Sequence, residues 1–129
     1  MISITSLYAS LCGILILALA IRVVYLRRKN KVGIGNGGVD DLRRAVRVHA
    51  NAIEYIPIVL ILMAALELNG VNGWLMHVLG SLLVLSRLLH AQGLSGSPGV
   101  SFGRFWGTLV TWIVIIISVV ANLVQFFAN

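Results

Sequence analysis

The sequence predicts an all-α integral membrane protein, a bundle of four transmembrane helices in a single domain over residues 1–129. Three observations carry that prediction. Of the residues, 59% are hydrophobic and 11% charged, with a mean hydropathy of +0.98, whereas a soluble domain carries about 25% charged residues. Four apolar runs reach the roughly 20 residues that a span needs; they cover about 4–26, 42–69, 74–94 and 105–127. The basic residues all fall at one end of these runs, as expected for a chain threaded back and forth through a bilayer. Hydrocarbon offers no partner to an open backbone group, so the spans are helices.

The first run has no A-x-A-like cleavage site after it and ends in RRKNK. It reads as a retained span and not as a signal peptide. Cys12 lies within it, and a lone buried cysteine acts as a small hydrophobe. The second helix starts before its apolar part, with Asp40 or Asp41 expected to cap it and Gly70 following its end. At 1.5 Å per residue it is about 42 Å long, against about 30 Å of hydrocarbon, so its first turns project into the headgroups. Pro57 removes an amide donor one turn beyond Glu54. His77, on the third helix, reads as interfacial or interhelical, and Trp74, Trp106 and Trp112 as interface anchors or packing residues. Two small or polar stripes are expected to pack against other helices: Ser3, Ser6, Ser10 and Gly13 on the first, and Thr111, Ser118, Asn122 and Gln125 on the fourth. The stripe on the last helix points to self-association.

Eight of the ten Lys and Arg residues surround the first loop; Arg87 and Arg104 flank the third. By the positive-inside rule this face is cytoplasmic and both termini face away from it. The net charge of +6 is concentrated there, suited to anionic headgroups or an anionic solute. Basic residues that hug the bilayer exclude a nucleic-acid partner.

The informative stretch is RVHANAIEYIP, Arg47 to Pro57, which opens an otherwise apolar span. An ionisable group in hydrocarbon costs roughly 3 kcal/mol or more, so such residues need a role. At 100° per residue, Arg47, Asn51 and Glu54 lie within about 60° of one another, with Arg43 extending the face and Tyr55 at its edge. They can lock helices together, or they can form a site for a zwitterionic anion; the residues alone leave both open.

The pattern Arg-x-x-x-Asn-x-x-Glu-x-x-Pro on the second of four helices resembles the MAPEG family, the membrane-associated proteins of eicosanoid and glutathione metabolism. The basic end of helix one, the early start of helix two, the chain length and a basic residue at the start of helix four all fit. The chain looks like a short bacterial member close to the microsomal glutathione transferases. The resemblance implies a homotrimer in the bacterial inner membrane, with glutathione as co-substrate bound between subunits at the cytoplasmic side, and no metal. It implies that Arg47, Asn51 and Glu54 hold glutathione. Arginine can clamp a carboxylate, Glu54 can pair with the ammonium, and Asn51 can donate and accept between them. Tyr55 would add a hydroxyl contact, and Arg27 a contact from the adjacent subunit unless it serves only topology. The reactive species must be the thiolate. The matching position for the arginine that stabilises it is Arg104, with Arg87 as competitor and otherwise structural or glutathione-binding. Where family members often carry tyrosines, this chain has His90, which can donate to a carboxylate, and Leu94, which cannot.

The implied activity is conjugation of glutathione to hydrophobic electrophiles arriving through the bilayer, a detoxification reaction, with reduction of lipid hydroperoxides as a second activity. Two other functions fit the residues. One is a non-catalytic scaffold of the same fold that binds a lipid or partner. The other is a small proton-coupled exporter using Glu54, disfavoured because the one-sided basic charge and the neighbouring Arg47 repel a cation. Vesicles carrying the protein are predicted to show no uptake of a lipophilic cation that depends on both a proton gradient and Glu54; such uptake would establish the exporter.

Overall fold

The computed structural model describes residues 1–96 and 101–128, the side chains of 94–96 excepted. The loop just before helix four, and the side chain of Leu94 discussed above, therefore lie outside the described residues. Four helices follow in order: α1 Ser3–Asn30, α2 Asp40–Leu68, α3 Gly73–Gly96 and α4 Phe102–Ala128. Each is long and apolar enough to cross a membrane. Helices α2 and α3 pack on each other, and α1 and α4 each pack on both. Among the described residues α1 and α4 are not neighbours.

The core follows from the spacing on α2. Ala45, Ala52, Val59 and Leu66 recur every seven residues, with Ile56 and Met63 between them, and all six are buried. That seam meets Tyr8 and Cys12 of α1, Met76, Leu79 and Leu83 of α3, and Val114 of α4. Cys12 is 1% exposed, in keeping with a packing role. Because the seam occupies one face of α2, Arg47 and Glu54 fall on the opposite face. Their side chains are 57% and 53% exposed, and they pair with each other at 3.7 Å.

The ends of α2 differ from expectation in one respect. Asp40 and Asp41 do not cap it: the N-cap is Val39, without a side-chain bond. Both carboxylates sit inside the first turn, where they suit the helix dipole and bind arginines three residues on. Asp40 pairs with Arg43 at 2.9 Å, and Asp41 with Arg44. At the other end the chain turns through Gly70 at φ +76°, and Asn72 Oδ1 accepts from the Trp74 amide at 2.8 Å to start α3. The Glu67 carboxylate reaches across to α1 and accepts from the amides of Ile4 and Thr5 at 2.8 and 2.7 Å. It thus caps one helix from the end of another.

The stripe on α4 turns towards the rest of the bundle. Thr111 and Ser118 are buried, Asn122 donates to the Leu62 carbonyl at 3.1 Å, and Gln125 donates to that of Asn69 at 3.3 Å. A helix crossing hydrocarbon satisfies its polar side chains on nearby backbone acceptors, and for Asn122 and Gln125 the end of α2 supplies these. On α1, Ser6 and Ser10 turn back to carbonyls four residues earlier in the chain. His77 is interhelical: the Tyr8 hydroxyl lies 2.9 Å from its Nδ1, and the Tyr8 ring packs against it.

Helices α3 and α4 meet through glycines. A Cβ on Gly103 would lie 2.5 Å from the Leu89 carbonyl oxygen, and one on Gly107 2.7 Å from the Ser86 carbonyl oxygen and from His90 Cβ. Backbone that close leaves no room for a methyl group. Gly107→Ala is expected to force the helices apart at a cost of about 1–3 kcal/mol, read as a lower thermal midpoint in detergent.

Candidate functional site

At the basic end of the bundle, the first half of α2, the end of α3 and the start of α4 enclose a cavity of about 670 Å³. Its walls carry Arg43, Arg44, Arg47 and Asn51 from α2, His90 from α3, and Arg104, Phe105, Thr108, Leu109 and Trp112 from α4. Four of the eight sequence-derived candidates therefore come together: Arg47, Asn51, His90 and Arg104. The glycine contacts explain the meeting of the last two. Gly93 packs against the Arg104 backbone, and Gly107 against His90, so these side chains leave adjoining backbones.

The other four candidates lie around the cavity or away from it. Glu54 is held in the ion pair with Arg47 and is not part of the lining. Tyr55 stands behind the wall: its hydroxyl accepts from Trp112 Nε1 at 3.1 Å, which fixes the indole that lines the cavity. Arg27 braces the first loop, donating to the Gly35 carbonyl at 2.8 Å.

Arg87 is buried at 2% exposure and forms the centre of the arrangement. Its Nε donates to Thr111 Oγ1 at 3.0 Å and one terminal nitrogen to the Gly107 carbonyl at 3.2 Å. The other terminal nitrogen donates to Asn51 Oδ1. The guanidinium carbon lies 5.3 Å from the centroid of the Tyr55 ring, within cation–π range. Thr111 in turn donates to the Gly107 carbonyl at 2.8 Å and lies 2.9 Å from the Ser86 hydroxyl. A buried cation is tolerated only where its donors are satisfied, and here acceptors on α2 and α4 do so. None of them is a carboxylate.

The chain has four acidic residues: Asp40, Asp41 and Glu54 pair with Arg43, Arg44 and Arg47, three of the arginines of the cavity wall, and Glu67 binds the start of α1. No acid lines the cavity. Its polar wall combines four arginines, three of them paired with carboxylates outside the lining, with Asn51, His90 and Thr108, and its remaining wall is aromatic and aliphatic. Cationic and neutral groups alone face the cavity, which suits an anion with an apolar partner beside it.

Sequence reasoning missed Arg44, Phe105, Thr108 and Leu109 as lining residues, and treated Trp112 as an anchor. The residues of α4 follow Arg104 at helical spacing (Arg104, Thr108, Trp112), so one reliable site residue on that helix was signal enough to find them. Thr111→Val keeps the shape of position 111 but removes the acceptor for Arg87 Nε. It is expected to cost about 1–3 kcal/mol, measured by thermal unfolding in detergent.

Comparison with known proteins agrees with the helical pattern and the motif. The MAPEG family model matches residues 5–124. The chain is 38% identical over 120 residues to the inner membrane protein YecN of Escherichia coli K12, covering 93% of this chain and 90% of that protein. The protein of the same name from Escherichia coli O6:H1 matches to the same extent. With four helices able to span a bilayer and a family match over nearly its whole length, the chain is an integral membrane protein that belongs to the MAPEG family.

Proposed function

We propose that the protein is a glutathione transferase of the inner membrane, conjugating glutathione to hydrophobic electrophiles. The observation that carries this reading is the cavity, which gathers Arg47, Asn51, His90 and Arg104 from three helices beside an apolar wall. Glutathione bears two carboxylates, one ammonium group and a thiol. Arg47 suits a carboxylate, since guanidinium and carboxylate match in two parallel bonds. Arg104 stabilises the thiolate: lowering a thiol pKa by two units takes about 2.7 kcal/mol, within reach of one guanidinium in a partly dry site. The thiolate sulfur forms a bond to the electrophilic carbon as the leaving group departs with its electron pair. With a lipid hydroperoxide, the same thiolate takes the terminal oxygen to give the alcohol, and a second glutathione releases water and the disulfide.

The electrophile reaches the sulfur along Phe105, Leu109 and Trp112, the apolar wall that α4 gives the cavity. A homotrimer, implied by the family, accounts for the half-exposed Arg47–Glu54 pair on a membrane-spanning helix, because a neighbouring copy would shield those charges from lipid. In that assembly Glu54, Tyr55 and Arg27 complete the glutathione site, with Glu54 taking the ammonium. Positive charge at the cavity mouth supports a cytoplasmic position for it, where glutathione is available.

Purified protein is expected to conjugate glutathione to chlorodinitrobenzene. Arg104→Ala should lower kcat/KM by about 100-fold or more, and Arg47→Ala should raise the glutathione KM by about tenfold. Folded wild-type protein with neither glutathione-dependent conjugation nor peroxide reduction would remove the enzyme reading and favour the scaffold.

A further inference from the structure

We propose that Arg87 is a positioning residue that dictates which end of the Asn51 amide meets the ligand, so that its NH2 group faces the cavity and donates to a carboxylate. The identity of the ligand as glutathione rests on the function proposed above; the orientation of the amide does not.

A guanidinium has five N–H donors and no acceptor, so whichever atom of Asn51 faces Arg87 must be the oxygen. The structure has Oδ1 there. Rotation of Asn51 would bring its NH2 against the guanidinium, donor to donor, inside the bundle. Arg87 cannot turn away to accommodate this, being held by Thr111 Oγ1 and the Gly107 carbonyl on α4 and by the Tyr55 ring on α2. The lock therefore has three sides, and all three are set by the packing of α3 against its neighbours.

With its oxygen engaged, Asn51 turns only its NH2 group to the cavity that it lines. Among the described residues no acceptor takes that nitrogen. Two N–H donors beside Arg47 recognise an acceptor-rich group, and a carboxylate is the part of the ligand that fits. An ammonium fits worse, because the amide oxygen that would accept from it is already held against the Arg87 guanidinium, whose positive charge repels a second cation. The ligand is thereby oriented in the cavity, with a carboxylate on the Asn51 NH2 and Arg47. Of the two roles expected of Asn51 from the sequence, acceptance thus goes to Arg87 and donation to the ligand.

Asn51→Asp tests the assignment, since it preserves shape and an oxygen towards Arg87 while replacing the NH2 by a second oxygen. The thermal midpoint of this variant in detergent should equal or exceed that of wild type, because the carboxylate pairs with the buried cation. Glutathione binding, by equilibrium dialysis, should weaken by about tenfold or more. The penalty should shrink for glutathione diethyl ester, whose carboxylates are masked, and a merely structural role would not produce that dependence. Arg87→Met should weaken binding too, with partial recovery in Arg87→Lys. A midpoint below wild type would overturn the orientation, as would equal binding to wild type and variant, or a penalty as large for the ester as for glutathione. If wild-type protein binds no glutathione, the proposed function fails, and the midpoint of Asn51→Asp still tests whether Arg87 holds an oxygen at position 51.

Discussion

One buried guanidinium ties the functional end of the bundle together. Arg87 projects from α3 into the contact with α2 and α4, and its hydrogen bonds reach Asn51 on α2 and Thr111 and Gly107 on α4. Withdrawing a charge from water is costly, and neutral acceptors must repay it by geometry. The position of α4 relative to α2 is thereby constrained from within. That same relative position sets the width of the cavity, because Arg47 and Asn51 stand on one of these helices and Arg104 and Trp112 on the other. The organising arginine and the arginine proposed for chemistry are thus separate residues with separate environments: Arg87 is enclosed, whereas Arg104 lines the cavity.

The glycines make this possible. Gly93, Gly103 and Gly107 bring the α3 and α4 backbones close enough that a methyl group on any of them would collide with the facing chain. Close approach shortens the reach from Arg87 to the Gly107 carbonyl and places His90 and Arg104 on adjoining walls. In a bilayer, where apolar surface alone gives helices little reason to associate, such contacts and the polar bonds they permit supply much of the specificity of packing. The opposite end of the molecule uses another device, the Glu67 carboxylate capping α1. The two ends have different tasks. One staples helices, and the other holds a cavity open.

Much of this was legible in the sequence, and the limits have physical causes. The four helices could be read from apolar run length, since a bilayer sets a minimum span that few other constraints imitate. Arg47 and Asn51 could be placed together from helical periodicity within one element. Arg87 was ambiguous because its role depends on acceptors contributed by α4, some twenty residues further along the chain, and no periodicity relates them. Asp40 and Asp41 were misassigned as caps because two adjacent acids at a helix start look alike whether they bond the backbone or the arginines one turn on. The polar stripe of α4 was visible as a stripe, but its direction was not: a row of Thr, Ser, Asn and Gln fits a partner subunit as well as the backbone of α2. Trp112 looked like any interfacial tryptophan until its indole was found bonded to Tyr55 at the cavity wall.

Organisation and chemistry fall to different arginines, and what distinguishes them is where the thiolate is held. Stopped-flow ultraviolet absorbance, on detergent-purified protein mixed with glutathione, reports thiolate formation without requiring the electrophile to be known. The account predicts a saturable thiolate signal in wild type, its loss in Arg104→Ala, and its survival in Arg87→Met once glutathione is raised to saturation. A signal that survives in Arg104→Ala and disappears in Arg87→Met would contradict it, transferring the chemistry to the arginine assigned here to architecture.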